Sequence, residues 1–161
     1  MTGETLQKPA LDPMSLVART GSGYPEPFRS RVTPREKRAL GDALGLTKIG
    51  INRTTLLPGK ESSMRHWHTQ EDEFVFVLEG EVTLRSDGGD QVLRAGMCAG
   101  FPAGKADAHQ LLNLSDRPVV YLEMSNRDPE HDSCSYSDVD LHYTPGAKPG
   151  AMFTRKDGSD Y

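Results

Sequence analysis

The sequence predicts an all-β domain, a sandwich or barrel of short strands, and three features carry that expectation. Sixteen Gly and eleven Pro punctuate a chain of 161 residues that is 35% hydrophobic, so many turns must separate short elements. β-Branched and aromatic runs such as EFVFVLEG and VVYLEMSN recur along the middle of the chain, and such residues favour a pleated, half-buried surface. Turn signals follow one another at intervals of about 8 to 12 residues, the rhythm of sandwiches and barrels. The length suits one domain with one core, and no longer repeat suggests a solenoid or propeller.

Residues 1–45 read as an extended N-terminal arm. Pro9, Pro13, Pro25, Pro27 and Pro34 interrupt it, and Gly21-Ser22-Gly23 supplies a flexible joint. Its basic cluster, Arg29, Arg31, Arg35, Lys37 and Arg38, is either a solvated face or a contact for a phosphate or an acidic partner. No Gly-rich phosphate loop accompanies the cluster, which favours the solvated face.

Residues 46–126 read as the barrel. TKIGINRTTLL alternates as a strand up to the turn Pro58-Gly59, and EFVFVLEG is the next long strand. EVTLRSDGGDQVLRAG gives a strand, a hairpin turn at Gly88-Gly89 and a second strand. MCAGFP, HQLLNLS and VVYLEMSN complete the set, separated by turns at Ala103-Gly104 and Asp116-Arg117-Pro118. Residues 127–161 return to Pro, Gly, Asp and Ser and read as a tail packed on the barrel, with one strand near Val139 to Tyr143.

A net charge of −4 with 26% charged residues gives no electrostatic footprint for nucleic acid or an anionic membrane. A small soluble ligand or a protein partner is the expectation. The N-terminal stretch lacks a basic segment followed by a long apolar run, and nothing approaches the ~20 apolar residues of a membrane span; a cytoplasmic location is expected. Cys98 and Cys134 are too few for a disulfide framework and form no Cys-x-x-Cys pair. Both read as small fillers.

The chemistry concentrates in MRHWHTQEDEF. His66 and His68 are two apart, so on a strand both imidazoles face one side and Trp67 the other. Such a pair is half of a transition-metal site or an exposed pair, and neighbouring acids decide between them. Glu73 opens the next strand, where its carboxylate can reach the imidazoles, whereas Glu71 and Asp72 fall in the turn, where carboxylates are usually solvated. His109 opens the strand HQLLNLS and returns from another part of the barrel. His66, His68, Glu73 and His109 are therefore the expected ligands of one divalent transition metal, and donor types alone do not choose among Zn, Mn, Fe, Ni and Co. Candidate acid–base residues are Arg53, Asp107, Tyr121 and Glu123, with Tyr121 and Glu123 preferred because they share a strand face. Trp67, Phe74, Phe76 and Phe101 read as core or interface.

These residues carry a resemblance. GKESSMRHWHTQEDEFVFVLEG resembles the first signature of the cupin superfamily, and GMCAGFPAGKADAHQLLN resembles the second. The resemblance covers residues 46–126 and implies a double-stranded β-helix, a form of jelly roll. It also implies the same four metal ligands, turns at Gly80 and Gly104, and a structural place for Asn113. Two spacers are longer than usual: six residues between Gly59 and His66, and four between Gly104 and His109. The segments ARTGSGYPEPFRSRV and FTRKDGSDY add a likeness to stand-alone bacterial cupins, some of them labelled sugar-phosphate isomerases.

Two functions from different classes follow. One is a metal-dependent enzyme, isomerase or dioxygenase, acting on a small polar or sugar-like molecule. The other is a non-catalytic cupin that binds a small ligand, although no helix-turn-helix pattern is attached. An open polar pocket would favour the first and an apolar-filled barrel the second. A homodimer is expected, because a small barrel leaves a sheet edge and an apolar outer face to be covered.

Overall fold

Alternating side chains along short segments build the strands, and the computed structural model describes them over residues 9–143 and 152–161. In chain order they are β1 (Arg35–Ala39), β2 (Ile49–Leu56), β3 (His66–His68), β4 (Glu73–Glu79), β5 (Glu81–Ser86), β6 (Gly89–Arg94), β7 (Cys98–Phe101), β8 (Gln110–Leu112), β9 (Val119–Asn126), β10 (Cys134–Tyr136), β11 (His142–Tyr143) and β12 (Phe153–Thr154). Two short helices, α1 (Phe28–Val32) and α2 (Leu40–Ala43), flank β1.

One antiparallel sheet has the order β1-β2-β9-β4-β7. Opposite it lie β12-β11-β10-β3 and β6-β5-β8, joined where His66 and His109, and Glu61 and Leu112, form single bridges. Leu56, Val75, Val77, Val119 and Tyr121 from the first sheet pack against Val82, Leu84, Leu93 and Leu111 from the second. This two-sheet packing is the jelly-roll barrel that the sequence predicts.

Two positions show why particular residues are needed. Gly80 turns the chain between β4 and β5 at φ +80°, and a Cβ there would sit 3.1 Å from the Pro118 carbonyl oxygen, so only glycine fits. Asn113 is fully buried. Its amide donates to the carbonyls of Leu56 and Arg117, and its oxygen accepts from the backbone N–H and hydroxyl of Ser115, which ties the end of β8 to β2 and to the turn before β9.

The structure departs from the sequence reading in three places. Arg35–Ala39, within the stretch read as arm, forms the edge strand β1 and pairs with β2 over its whole length. REKRA carries no apolar alternation, so no period marks it as a strand. Tyr24, Phe28 and Val32 of the same stretch join Met64, Cys134, Tyr136 and Leu141 in a second hydrophobic cluster. In the tail, β10 was not anticipated; it pairs with β3, while β11 begins at His142 rather than Val139. The hairpin turn between β5 and β6 lies at Asp87-Gly88, since Ser86 already pairs with Gly89.

Candidate metal centre

β3 is three residues long, and its neighbours hold it in place. On one side Cys134 and Tyr136 of β10 pair with His68 and His66. On the other, the His66 N–H donates to the His109 carbonyl at 3.1 Å and the His109 N–H donates to the His66 carbonyl at 2.8 Å. Directly opposed antiparallel residues project from the same face, so this bridge brings the His109 ring to within 5.0 Å of the His66 ring, centroid to centroid. Glu73, the first residue of β4, completes the group. Its Oε2 lies 2.9 Å from His109 Nε2, 3.6 Å from His68 Nε2 and 3.7 Å from His66 Nε2.

The other ring nitrogens explain the orientation of two of the three imidazoles, His66 and His68. His66 Nδ1 lies 2.8 Å from the Met64 carbonyl oxygen, which can only accept, so Nδ1 donates and Nε2 keeps its lone pair in the neutral ring. His68 Nδ1 lies 2.6 Å from Asp132 Oδ2, and the same argument applies. Asp132 is itself buried, and its second oxygen accepts the backbone N–H groups of Gln70 and Glu71. A carboxylate behind a ligating imidazole fixes its tautomer and orientation. The His109 ring is positioned differently: it stacks flat on Phe101, centroids 3.5 Å apart and planes 1° from parallel.

The electrostatics fit a cation. Burial pushes the His66 imidazolium down to about 4, which leaves the ring neutral near pH 7, as ligation requires. Burial alone would raise the Glu73 carboxyl, but His109 beside it and the fields of His66 and His68 outweigh this and hold it at about 2. Glu73 Oε2 is buried with no aligned hydrogen-bond donor. A buried carboxylate oxygen faced by three imidazole nitrogens is a donor set that fits a divalent transition-metal ion. His66, His68, Glu73 and His109, the four ligands expected from the sequence, lie side by side here.

The group lies in the wall of a cavity of about 330 Å³. Tyr121 and Glu123 both line it, as do Arg35, Lys37, Asn52 and Glu71. Glu123 Oε1 is paired with the Lys37 ammonium and accepts from the Asn52 amide at 3.2 Å. The Tyr121 hydroxyl is buried, facing only that of its cross-strand neighbour Thr54, and burial, then the Glu123 charge, push its pKa up.

Several candidates fall elsewhere. Arg53 is absent from the cavity wall and lies 3.7 Å from Glu79, because the register places it out of phase with Asn52 and Thr54. Asp107 accepts the Asp87 N–H and borders a separate cleft of about 30 Å³ beside His109. Asp72 accepts the Ala103 N–H. Glu71 is not a solvated turn residue: it is half-buried, takes the Asp128 N–H at 3.0 Å, and its carboxyl is raised by burial. Asp132, Lys37 and Asn52 were missed, and Phe101 was read only as core. The one local signal was the basic cluster containing Lys37; Asp132 sits in a loop of ordinary composition.

Fold and site together define a small jelly-roll protein with a His-rich centre inside one end of its barrel. The chain belongs to the cupin superfamily: residues 52–125 match the family model described as Cupin domain. A structure from Silicibacter pomeroyi, described as a sugar phosphate isomerase from a cupin superfamily, is 40% identical, with 95% of this chain and 96% of that one covered and a TM-score of 0.87. A structure from Acidithiobacillus ferrooxidans, provisionally named a sugar phosphate isomerase, is 33% identical over 71% of this chain and 76% of that one, TM-score 0.65. The polyketide cyclase RemF from Streptomyces resistomycificus shares the fold alone, at 16% identity, 76% and 81% coverage and TM-score 0.62. No curated protein matches the chain. No described helix is long and apolar enough to cross a membrane.

Proposed function

We propose that the protein is a metal-dependent isomerase of a small, polar, sugar-like molecule. One observation carries this reading: three imidazole Nε2 atoms stand within 3.7 Å of one buried carboxylate oxygen, on the wall of an open cavity lined by both polar and apolar side chains. An apolar-filled barrel would have favoured a non-catalytic binding protein. The names of the Silicibacter and Acidithiobacillus structures favour isomerisation over oxygen chemistry.

His66, His68, Glu73 and His109 would hold one divalent transition metal. When bound, it supplies Lewis-acid polarisation of a carbonyl or hydroxyl oxygen. Aldose–ketose interconversion moves one hydrogen between adjacent carbons and one proton between their oxygens, with no net oxidation. Glu123 suits the carbon-to-carbon transfer: both its partners contact Oε1, leaving Oε2 to take a proton and return it. Tyr121, whose hydroxyl burial keeps protonated, acts as a hydrogen-bond donor to a substrate oxygen rather than as a base. The reading includes a cytoplasmic location and a homodimer, and the exposure of Phe74, Leu78 and Met97 on or beside one sheet supports the dimer.

The test is NMR of metal-loaded protein with a panel of aldose and ketose phosphates and free sugars in D2O. Interconversion with deuterium appearing at the transferred position, absent in Glu123→Gln protein of unchanged metal content, is expected. Failure to convert any member of the panel, with the sugars still bound, would leave the non-catalytic binding protein as the better account.

A further inference from the structure

The cavity is not symmetric in charge. At one end stand the histidines and Glu73; along another wall β1 contributes Arg35 and Lys37. The register explains why both reach inward: Arg35 pairs with Leu56 and Lys37 with Thr54, and Leu56 and Thr54 are fully buried residues of the barrel interior. Glu36 and Arg38 alternate to the other face, where they pair with each other at 2.9 Å. Lys37 is matched by Glu123. Among the described residues Arg35 has no carboxylate within ion-pair distance and its guanidinium donates no hydrogen bond, so it faces the cavity without a direct partner, although Glu71, Glu73, Glu123 and Asp132 line other parts of the wall.

A second, independent observation concerns the hydroxyls of the same region. Tyr121 is 1% exposed and Thr54 is 0% exposed. They are cross-strand partners whose hydroxyls face each other, and neither has a hydrogen-bond partner outside that pair. Two hydroxyls that face only each other leave one O–H without an acceptor, and a buried unsatisfied donor is costly, so a ligand oxygen in the cavity would satisfy it. Arg35 is near enough that its positive charge offsets part of the burial effect at the hydroxyls of both Tyr121 and Tyr24. A half-buried guanidinium, which can only donate, with a protonated phenol on the same interior face, is the complement of a phosphate or carboxylate group.

We propose that Arg35, assisted by the Tyr121 hydroxyl, is the subsite for an anionic group of the ligand, a phosphate ester or a carboxylate, whose remaining oxygens face the His66, His68, Glu73 and His109 cluster. The inference deepens the reading of a small polar substrate in this cavity and rests on it. The substrate class is thereby an anionic sugar-like molecule rather than a neutral sugar, and Arg35 is a specificity-determining residue that binds and orients but transfers no proton. Arg is better suited to this task than Lys, because its planar fork can hold two oxygens at once.

The experiment is calorimetric titration of inorganic phosphate, acetate and glucose into the full-length protein, once metal-loaded and once stripped, with Arg35→Met, Arg35→Lys and Tyr121→Phe alongside. Phosphate bound to stripped and loaded wild-type protein alike, about tenfold weaker in Arg35→Met, less reduced in Arg35→Lys and a few-fold weaker in Tyr121→Phe, is expected. Tighter binding of phosphate than acetate assigns a phosphate ester, and the reverse order a carboxylate. Neither anion binding at tens of millimolar, or binding indifferent to Arg35→Met, would overturn the subsite. So would phosphate binding found only in the loaded protein, since that anion would sit on the metal. Arg35→Lys, which keeps the charge, guards against reading a folding defect as lost recognition. The metal and isomerase readings fail separately: absence of metal with Arg35-dependent phosphate binding would sink those and leave the subsite, whereas isomerisation unaffected by Arg35→Met would sink the subsite and leave those.

Discussion

His66 and His109 lie far apart in sequence but exchange both backbone hydrogen bonds, at 3.1 and 2.8 Å. With the Glu61–Leu112 bridge this pairing seams the two parts of the second sheet, and it puts two imidazoles on one face, so the candidate metal centre is also a structural joint of the barrel. Metal binding should therefore stabilise the fold. Anything that binds only the native state adds stability by mass action, about 2.7 kcal/mol at a concentration one hundred times Kd. Differential scanning calorimetry should show a higher melting temperature with metal and a return to the lower value on chelation.

Asp132 orients His68 through Nδ1 and also caps the turn by accepting from Gln70 and Glu71. Asp132→Asn should lower metal affinity by about 10- to 100-fold, the usual effect of removing a carboxylate behind a ligating histidine. Competition titration against a chromophoric chelator would measure it. Unaltered affinity would mean that β3 alone holds the ring.

The metal-free protein should lose stability on acidification. His66 is pushed from 6.5 down to about 4 by burial, so between those values the unfolded chain binds more protons than the folded one and stability rises with pH. The contribution is complete above pH 6.5 and lost as pH falls toward 4, amounting to about 3 kcal/mol. The depressed Glu73 carboxyl extends the decline in the same direction at lower pH. Urea denaturation at stepped pH on stripped protein checks this, and a flat profile between pH 6.5 and 4 would contradict it.

How much of this was legible in the sequence depends on the range of each interaction. His66 and His68 share a face because the strand period is two, and that is local. Glu73 follows within one turn. His109 was legible through its motif, although its bridge to His66 was not, and the lengthened loop after Gly104 leaves it in place. The roles of Asp132 and of Arg35, which lacks a direct partner, depend on contacts between segments distant in sequence, which periodicity does not report. β1 was hidden for another reason: an edge strand with one face on a polar cavity and one in solvent needs no hydrophobic residue, so REKRA reads as a charged linker.

Asn113 offers a test of the barrel apart from its chemistry. Asn113→Ala would leave the Leu56 carbonyl without the amide donor, while the Arg117 carbonyl keeps the Ser115 hydroxyl, at a cost of about 1–3 kcal/mol. Urea denaturation should report that loss with metal stoichiometry unchanged in the folded fraction. A loss below ~0.5 kcal/mol would show that water replaces the amide.

Association is checked by light scattering. The proposed dimer predicts twice the chain mass at micromolar concentration, and a charged residue in place of Phe74, which is 38% exposed on β4, should shift the population toward monomer. A wild-type protein that scatters as a monomer would count against the dimer.

The most direct measurement is the metal content of protein purified without chelator, by elemental analysis, beside a His66→Ala, His68→Ala double variant. His66 Nε2, His68 Nε2 and His109 Nε2 all lie within 3.7 Å of Glu73 Oε2, and the account predicts about one divalent transition metal per chain, lost in the double variant while the barrel still folds. Equal metal in the double variant, or wild-type protein that takes up no transition metal when it is supplied, would contradict it.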